Sequence, residues 1–382
     1  MRFFASMIIV ISHIGYYLNL HPENYLIHTL FFQTHGRAPL FTLLGTPLMT
    51  LFFILTGFVI TYRYEYQIKN QSITNHHFLI ARFARLYPTY LLTLGLSLPL
   101  LFINNIYTDD YFNTLNVISK TLLNLCLLHS YVPYYDIMSN VNPPIWTLSV
   151  DVLFYLSFPF LIKMRPSKLY VFTLLLLLIV FTCATLEFYQ EIIISRIFSF
   201  ITSPFFRIVD FIIGIHLARL FIALKDRAPG SGLFHVFEPL SIGVYLLFFC
   251  LERKFIIPVV YAFDLFYLLP IGFIVLTFAF QKGFISRFLQ LRSLVLLGNA
   301  SYAIYIYHWM IISYTNYWLK IFNIPTHATL LVVSLMLLVI GASIGVALLS
   351  YTYFEQPLNN FIRRRYTDHR PTLSQQKAVF PT

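Results

Sequence analysis

Charge is what this sequence lacks most. Only 11% of its 382 residues are Asp, Glu, Lys or Arg, against roughly 25% in soluble domains. That is too little to clothe a water-facing surface, which excludes an ordinary soluble globular protein. Acidic residues are the scarcer sign: 15 Asp and Glu face 26 Lys and Arg. Cysteine is also rare. Cys126, Cys183 and Cys250 lie scattered in or beside apolar runs, with no paired spacing. A disulfide framework and a cysteine-built zinc site are therefore not indicated, and the three read as small buried apolar residues. The 14 glycines form no phosphate-binding loop and no GxSxG elbow. No His, Cys and acid cluster has metal-ligand spacing, so no metal is expected.

What the chain has instead is apolar length. Hydrophobic residues make up 58% of it and the mean hydropathy is +0.73. A membrane-spanning helix needs about 20 apolar residues, and runs of that length recur throughout. The runs predict an all-α, polytopic integral membrane protein of about ten transmembrane helices. They lie at 3–20, 40–62, 86–106, 144–162, 169–189, 205–222, 238–252, 259–280, 294–318 and 328–354. Segment 111–135 is apolar but interrupted by Lys120 and ends in a Tyr/Pro-rich stretch; it reads as a re-entrant or surface helix. The first run resembles a signal peptide in position only. It has no small-residue cleavage site and contains His13, so it is expected to stay as a helix. Residues 1–366 are read as one transmembrane domain, and 367–382 as a polar, disordered cytoplasmic tail.

The net charge of +11 is largely an orientation signal. With both termini cytoplasmic, most basic residues fall on the inner side, among them Arg63, Lys69, Arg82, Arg85, Arg219, Arg287 and the run Arg363–Arg365. That asymmetry is what the positive-inside rule predicts, and the same residues can meet anionic lipid or an anionic cytosolic substrate.

Ionisable groups inside spans are expensive and point to function. Arg2 and His13 are eleven residues apart, about three helical turns, so they project from one face roughly 16 Å apart. This places a cation at a channel mouth and a base within; a His bonded to a neighbouring helix is the alternative. Arg82 and Arg85 share a helical face before the third expected span, where two guanidiniums can clamp phosphates or anchor the helix at the membrane surface. Asp151 follows Pro143 and Pro144 by about two turns and needs a partner, either a His whose tautomer it fixes or an interhelical hydrogen bond. Ser301, Tyr305 and His308 form a polar stripe that lines a cavity or anchors an outer interface. Glu355 ends the last expected span and reads as a surface ion pair with nearby arginines. Asp210 and Asp264 also lie within spans, with no role evident beyond pairing.

In order and spacing, these residues resemble the membrane-bound acyltransferase 3 family. The matching stretches are Arg2 to His13, PhePheIleLeuThrGlyPheValIle (52–60), ArgPheAlaArgLeuTyrPro (82–88), TrpThrLeuSerValAspValLeuPheTyr (146–155) with Pro159, GlyAsnAlaSerTyrAlaIleTyrIleTyrHis (298–308) and GluGlnPro (355–357). The resemblance implies a ten-helix enzyme of the bacterial inner membrane. It would move an acyl group, often acetyl, from cytosolic acyl-CoA to a hydroxyl of a cell-envelope polysaccharide such as lipopolysaccharide O-antigen or exopolysaccharide. It implies that His13 is catalytic, that Asp151 assists it, and that Arg2, Arg82 and Arg85 bind acyl-CoA. Trp146, Tyr305, His308 and Glu355 fall in its substrate or structural motifs. The family usually has Glu where this chain has Asp151, one methylene shorter. Whether His13 acts as a general base or forms an acyl-His intermediate stays open. Two other readings are a proton-coupled transporter using His13 and Asp151, and an inactive lipid-binding relative. The transporter reading lacks the inverted repeats and paired broken helices of that class.

Overall fold

Helices account for nearly all the regular structure, and no β-strand occurs among the described residues. The structure is a computed structural model and describes residues 1–18, 44–45, 47–106, 113–132, 142–189, 202–228, 230–255, 257, 261 and 265–366. In chain order the helices are α1 (Arg2–Tyr17), α2 (Leu48–Lys69), α3 (Asn75–Ile106), α4 (Asn113–Leu125), α5 (Trp146–Leu161), α6 (Pro166–Tyr189) and α7 (Pro204–Leu224). They continue with α8 (Ser231–Phe255), α9 (Leu268–Ala279), α10 (Phe284–Leu289), α11 (Arg292–Asn299), α12 (Ser301–Ile321), α13 (Thr329–Ser350) and α14 (Gln356–Tyr366). The five-residue turn Tyr351–Glu355 between α13 and α14 is a π-helix.

Five helical segments are long and apolar enough to cross a membrane, and the α11–α12 pair is a sixth if counted as one span. Burial sorts them. In the most apolar windows, 72% of α2 and 67% of Pro143–Leu161 are buried by protein, against 22% for α6 and 28% for α8 and α13. With lipid as solvent, the outward apolar faces of α6, α8 and α13 need no protein cover. The inner helices carry the polar groups.

The structure redraws several expected boundaries. α3 begins at Asn75 and runs 32 residues through Pro88 and Pro99, so the helical face shared by Arg82 and Arg85 is continuous with the third expected span. α8 spans 25 residues, making the shortest expected span one of full length. The helix expected over 294–318 is two helices bent by 60° at Ala300. α4, with 13 residues, is about 20 Å long and cannot cross a hydrocarbon core of about 30 Å. Asp264 and the tail 367–382 lie outside the described residues.

α2 and α7 make the most extensive helix contact, and the sequence permits it at two glycines. A Cβ on Gly57 would lie 2.1 Å from the carbonyl oxygen of Phe211, and one on Gly214 would lie 2.2 Å from that of Ile54. Small residues let backbones approach this closely in membrane bundles. α7 also brings in its own charges already paired. Arg207 donates to Asp210 at 3.2 Å and to Thr50 at 3.3 Å, with its guanidinium 5.7 Å and 5.9 Å from the ring centres of Phe53 and Trp146. Arg219 grips Glu65 of α2 through Nε at 3.0 Å and Nη2 at 2.7 Å, and Lys69 reaches the same carboxylate at 2.6 Å. Asp210 thus has the pairing role expected of it, and Trp146 packs in this core, edge-on to Phe53.

The glycine contact gives a prediction of sign. Gly57→Ala forces a methyl into a backbone oxygen, so it is expected to destabilise by about 1–3 kcal/mol or more. Gly95→Ala in α3 meets nothing within 4 Å and is expected to stabilise by about 0.5–1 kcal/mol. Thermal unfolding midpoints in detergent should move in opposite directions; a shared direction would contradict the packing described.

Candidate active site

α1 and α12 meet where each carries a histidine. His13 Nδ1 and His308 Nε2 are 2.8 Å apart, across 295 residues of sequence. The rings stack with centroids 5.1 Å apart and planes 16° from parallel, and Trp309 stands edge-on to His13 at 6.0 Å. His308 is fully buried, which removes the reading of it as an interfacial anchor. Its other nitrogen, Nδ1, is 2.5 Å from the carbonyl oxygen of Tyr305, one turn earlier.

That carbonyl fixes the protons. A carbonyl oxygen only accepts, so His308 Nδ1 carries a hydrogen. With both rings neutral, His308 Nε2 is then an acceptor, His13 Nδ1 must donate to it, and the basic lone pair of His13 falls on Nε2. The sequence reading offered Asp151 as the group that fixes the His13 tautomer. The structure gives that position to His308, because α12 and not α5 lies against this face of α1. Tyr305 holds α12 in place. Its hydroxyl donates to the carbonyl of Pro144 at 2.7 Å, and Asn142 Nδ2 donates to the carbonyl of Ile306 at 3.1 Å. Of the stripe, Tyr305 docks on the residues that precede α5, Ser301 caps back onto the Gly298 carbonyl, and His308 meets His13.

Asp151 belongs to a second group. Arg2 from α1 and Arg82 and Arg85 from α3 lie within electrostatic reach of one another and of Tyr155 on α5, and Arg2 and Arg82 also of Asp151 on the same helix. Asp151 and Tyr155 are four residues apart, so one face of α5 presents both. Tyr302 joins Asp151, Tyr155, Arg85 and Glu355, and its hydroxyl donates to the carbonyl of Leu86 at 2.7 Å. Tyr305 also feels Asp151, so the arginine group and the histidine pair form one continuous site.

Glu355 corrects another expectation. It is buried, at 2% exposure, beside Arg85 and Thr89, and is not a surface ion pair. It ends the π-helical turn, a local widening often found at functional positions. That turn joins α14 to α13 while α14 packs on α3, which carries Glu355 inward.

Several buried polar atoms in this site lack a hydrogen bond: Arg82 Nε, Asp151 Oδ1 and Glu355 Oε2. Such atoms can take partners from a ligand or from water, and three guanidiniums around two carboxylates retain a net positive charge. The donor set fits a phosphorylated ligand. Among the described residues no group of three His, Cys, Asp or Glu side chains is placed to hold a metal ion.

Sequence reasoning missed Tyr155, Tyr302 and the role of His308. Helical spacing offered the tyrosines, one turn from Asp151 and from Tyr305. Nothing in the sequence pairs His13 with His308 in particular.

Comparison with known proteins agrees with this architecture. The acyltransferase 3 family, described as an acyltransferase domain, matches residues 1–351. An uncharacterised protein of Haemophilus influenzae is 29% identical over 161 residues, covering 38% of this chain and 64% of that one. Acyltransferase MdmB of Streptomyces mycarofaciens is 29% identical over 162 residues, 42% of this chain and 37% of its own. Protein 2 in the picA locus of Rhizobium radiobacter is 42% identical over 72 residues, 19% of this chain and 36% of its own. The chain thus spans less than two thirds of the length of these relatives. No solved structure matches. With the family matched over nearly the whole chain, and with apolar helices enclosing a buried site of arginines and histidines, this chain belongs to the acyltransferase 3 family and is a membrane protein.

Proposed function

We propose that this protein is a membrane O-acyltransferase. It takes an acyl group, acetyl in the simplest case, from cytosolic acyl-CoA and passes it to a hydroxyl of a cell-envelope polysaccharide such as lipopolysaccharide O-antigen or exopolysaccharide. In this reading the chain sits in the bacterial inner membrane with ten spans and both termini cytoplasmic. The observation that carries the proposal is the chain from the Tyr305 carbonyl through His308 to His13, which sets a base on the same face of α1 as Arg2 of the arginine cluster. Family membership and the name of the Streptomyces relative, an acyltransferase, support it.

The chemistry follows from the geometry. Arg2, Arg82 and Arg85 hold the donor's phosphates, and Asp151 and Glu355 space the guanidiniums apart. His13 Nε2 takes the proton of the acceptor hydroxyl as its oxygen attacks the thioester carbonyl. The C–O bond forms, the C–S bond breaks, and the His13 imidazolium returns the proton to the CoA thiolate. His308 accepts from Nδ1 throughout, so the positive charge that develops on His13 has a fixed partner.

Ligand binding tests the donor assignment. CoA and acetyl-CoA should raise the unfolding temperature of the purified protein by mass action. Arg82→Gln with Arg85→Gln should weaken that binding by about tenfold to a hundredfold, the worth of one or two charge-assisted hydrogen bonds. A protein that ignores CoA would favour the transporter reading. A protein that binds CoA and turns over nothing would be an inactive relative.

A further inference from the structure

Tyr64 lies at the edge of the site, and arginines crowd it. Arg82 donates to its hydroxyl at 3.0 Å, with the guanidinium carbon 4.9 Å from the ring centre. Arg63, the preceding residue, sits 5.5 Å from the same centre. The groups acting most strongly on Arg363 of α14 are Tyr64, Arg63, Arg82 and Arg85. Three guanidiniums, Arg63, Arg82 and Arg363, thus converge from three helices on one buried ring. The neighbouring carboxylate, Glu65, is engaged by Arg219 and Lys69. Guanidiniums grouped in this way attract an anionic ligand. Arginine presents a planar fork of donors that suits a phosphate, and it also stacks on aromatic rings. Arg363 lies beyond residues 1–351, the stretch matched by the family, so family resemblance does not assign it a role.

This cluster is continuous with the donor site through Arg82 and Arg85, which serve both. Arg2 lies within electrostatic reach of Arg82 and Arg85, and Arg82 in turn reaches Tyr64. Arg2 and His13 are about 16 Å apart along α1, so a ligand reacting at His13 and gripped by Arg2 has its distal end toward Tyr64. We propose that Arg63, Arg363 and Tyr64 form a second anion subsite, which holds a phosphate monoester at the end of the donor remote from its thioester: the ribose 3′-phosphate of CoA. The inference rests on the acyl-CoA reading above.

The test compares CoA with 3′-dephospho-CoA, binding each to the purified full-length protein in nanodiscs of zwitterionic lipid. Wild type should bind CoA tighter by roughly tenfold or more, the worth of charge-assisted hydrogen bonds to one phosphate. In Arg63→Gln/Arg363→Gln the two ligands should bind alike, at the wild-type affinity for dephospho-CoA, which also shows that the variant is folded. Arg364→Gln, an exposed neighbour, should keep the wild-type ratio. An unchanged ratio in the double variant, or equal weakening of both ligands, overturns the subsite. A ratio that collapses in wild type when anionic lipid is added assigns the cluster to a lipid phosphate and overturns it too. Failure of wild type to bind either ligand would instead defeat the acyl-CoA reading itself.

Discussion

His13→Ala should lower the rate of acyl transfer by between about a hundredfold and ten-thousandfold, the range general base catalysis supplies. Donor affinity should stay near wild type, because the arginines proposed to grip the donor lie along α1, α2, α3 and α14 and not at His13. The split is the informative part. A residue that only packs would lower folded yield or weaken binding along with rate. A residue acting on the reacting atoms lowers turnover alone. His13 also stacks on His308 and meets the edge of Trp309, so His13→Gln, which retains more of that packing, is a useful second variant. It should be nearly as inactive as His13→Ala. Steady-state kinetics with acetyl-CoA and thermal stabilisation by CoA measure the two quantities separately.

His308 is the second large effect. Its nitrogens bridge the Tyr305 carbonyl at 2.5 Å and His13 Nδ1 at 2.8 Å, so it decides which nitrogen of His13 carries the proton. His308→Leu removes the bridge, frees the His13 ring to take either tautomer, and leaves the Tyr305 carbonyl without this donor. Positioning groups of this kind are worth about tenfold to a hundredfold. His308→Gln carries an amide oxygen and an amide N–H on one carbon, spaced much like the two ring nitrogens, so it should recover part of the loss. Turnover is the readout, with the donor KM as control. Equal activity of the Leu and Gln variants would mean that His308 only fills space, and full wild-type activity of both would remove it from the mechanism.

Much of this site could be read from the sequence because it follows helical periodicity. The eleven-residue spacing of Arg2 and His13, the three-residue spacing of Arg82 and Arg85, and the stripe of Ser301, Tyr305 and His308 each put residues on one helical face. Periodicity says nothing about which faces meet. The contact of His13 with His308 joins helices at opposite ends of the chain, and many pairings of apolar faces would satisfy the same pattern. Asp151 was an equally plausible partner on sequence grounds, and it went to the arginines because α5 faces them. Glu355 looked exposed because arginines follow it. A π-helical turn shifts the register by one residue and carries it inward, and no local sequence rule foretold that. α7 shows the reverse case. Arg207, Asp210 and Arg219 lower its hydropathy, yet their partners Thr50, Asp210 and Glu65 lie inside the bundle, so it packs centrally despite its charges.

The fold supplies what the site requires. The backbone contact of Gly57 and Gly214 locks α2 to α7, and the Glu65 and Arg219 pair clamps the same two helices further along. α2 carries Arg63 and Tyr64 at this clamped end. Tyr305 and Asn142 tie α12 to the start of α5, fixing His308 relative to Asp151. Rigid helices hold every proposed catalytic and phosphate-binding group, and preorganisation of that kind is what electrostatic catalysis needs.

The most direct measurement follows labelled acetyl from acetyl-CoA to glycan. The purified protein is reconstituted in liposomes with a lipid-linked envelope glycan, and the products are separated. The account predicts that wild type places the label on a glycan hydroxyl as a base-labile ester, and that His13→Ala leaves it on CoA. Wild type that leaves all label on CoA, or equal labelling by wild type and His13→Ala, would contradict it.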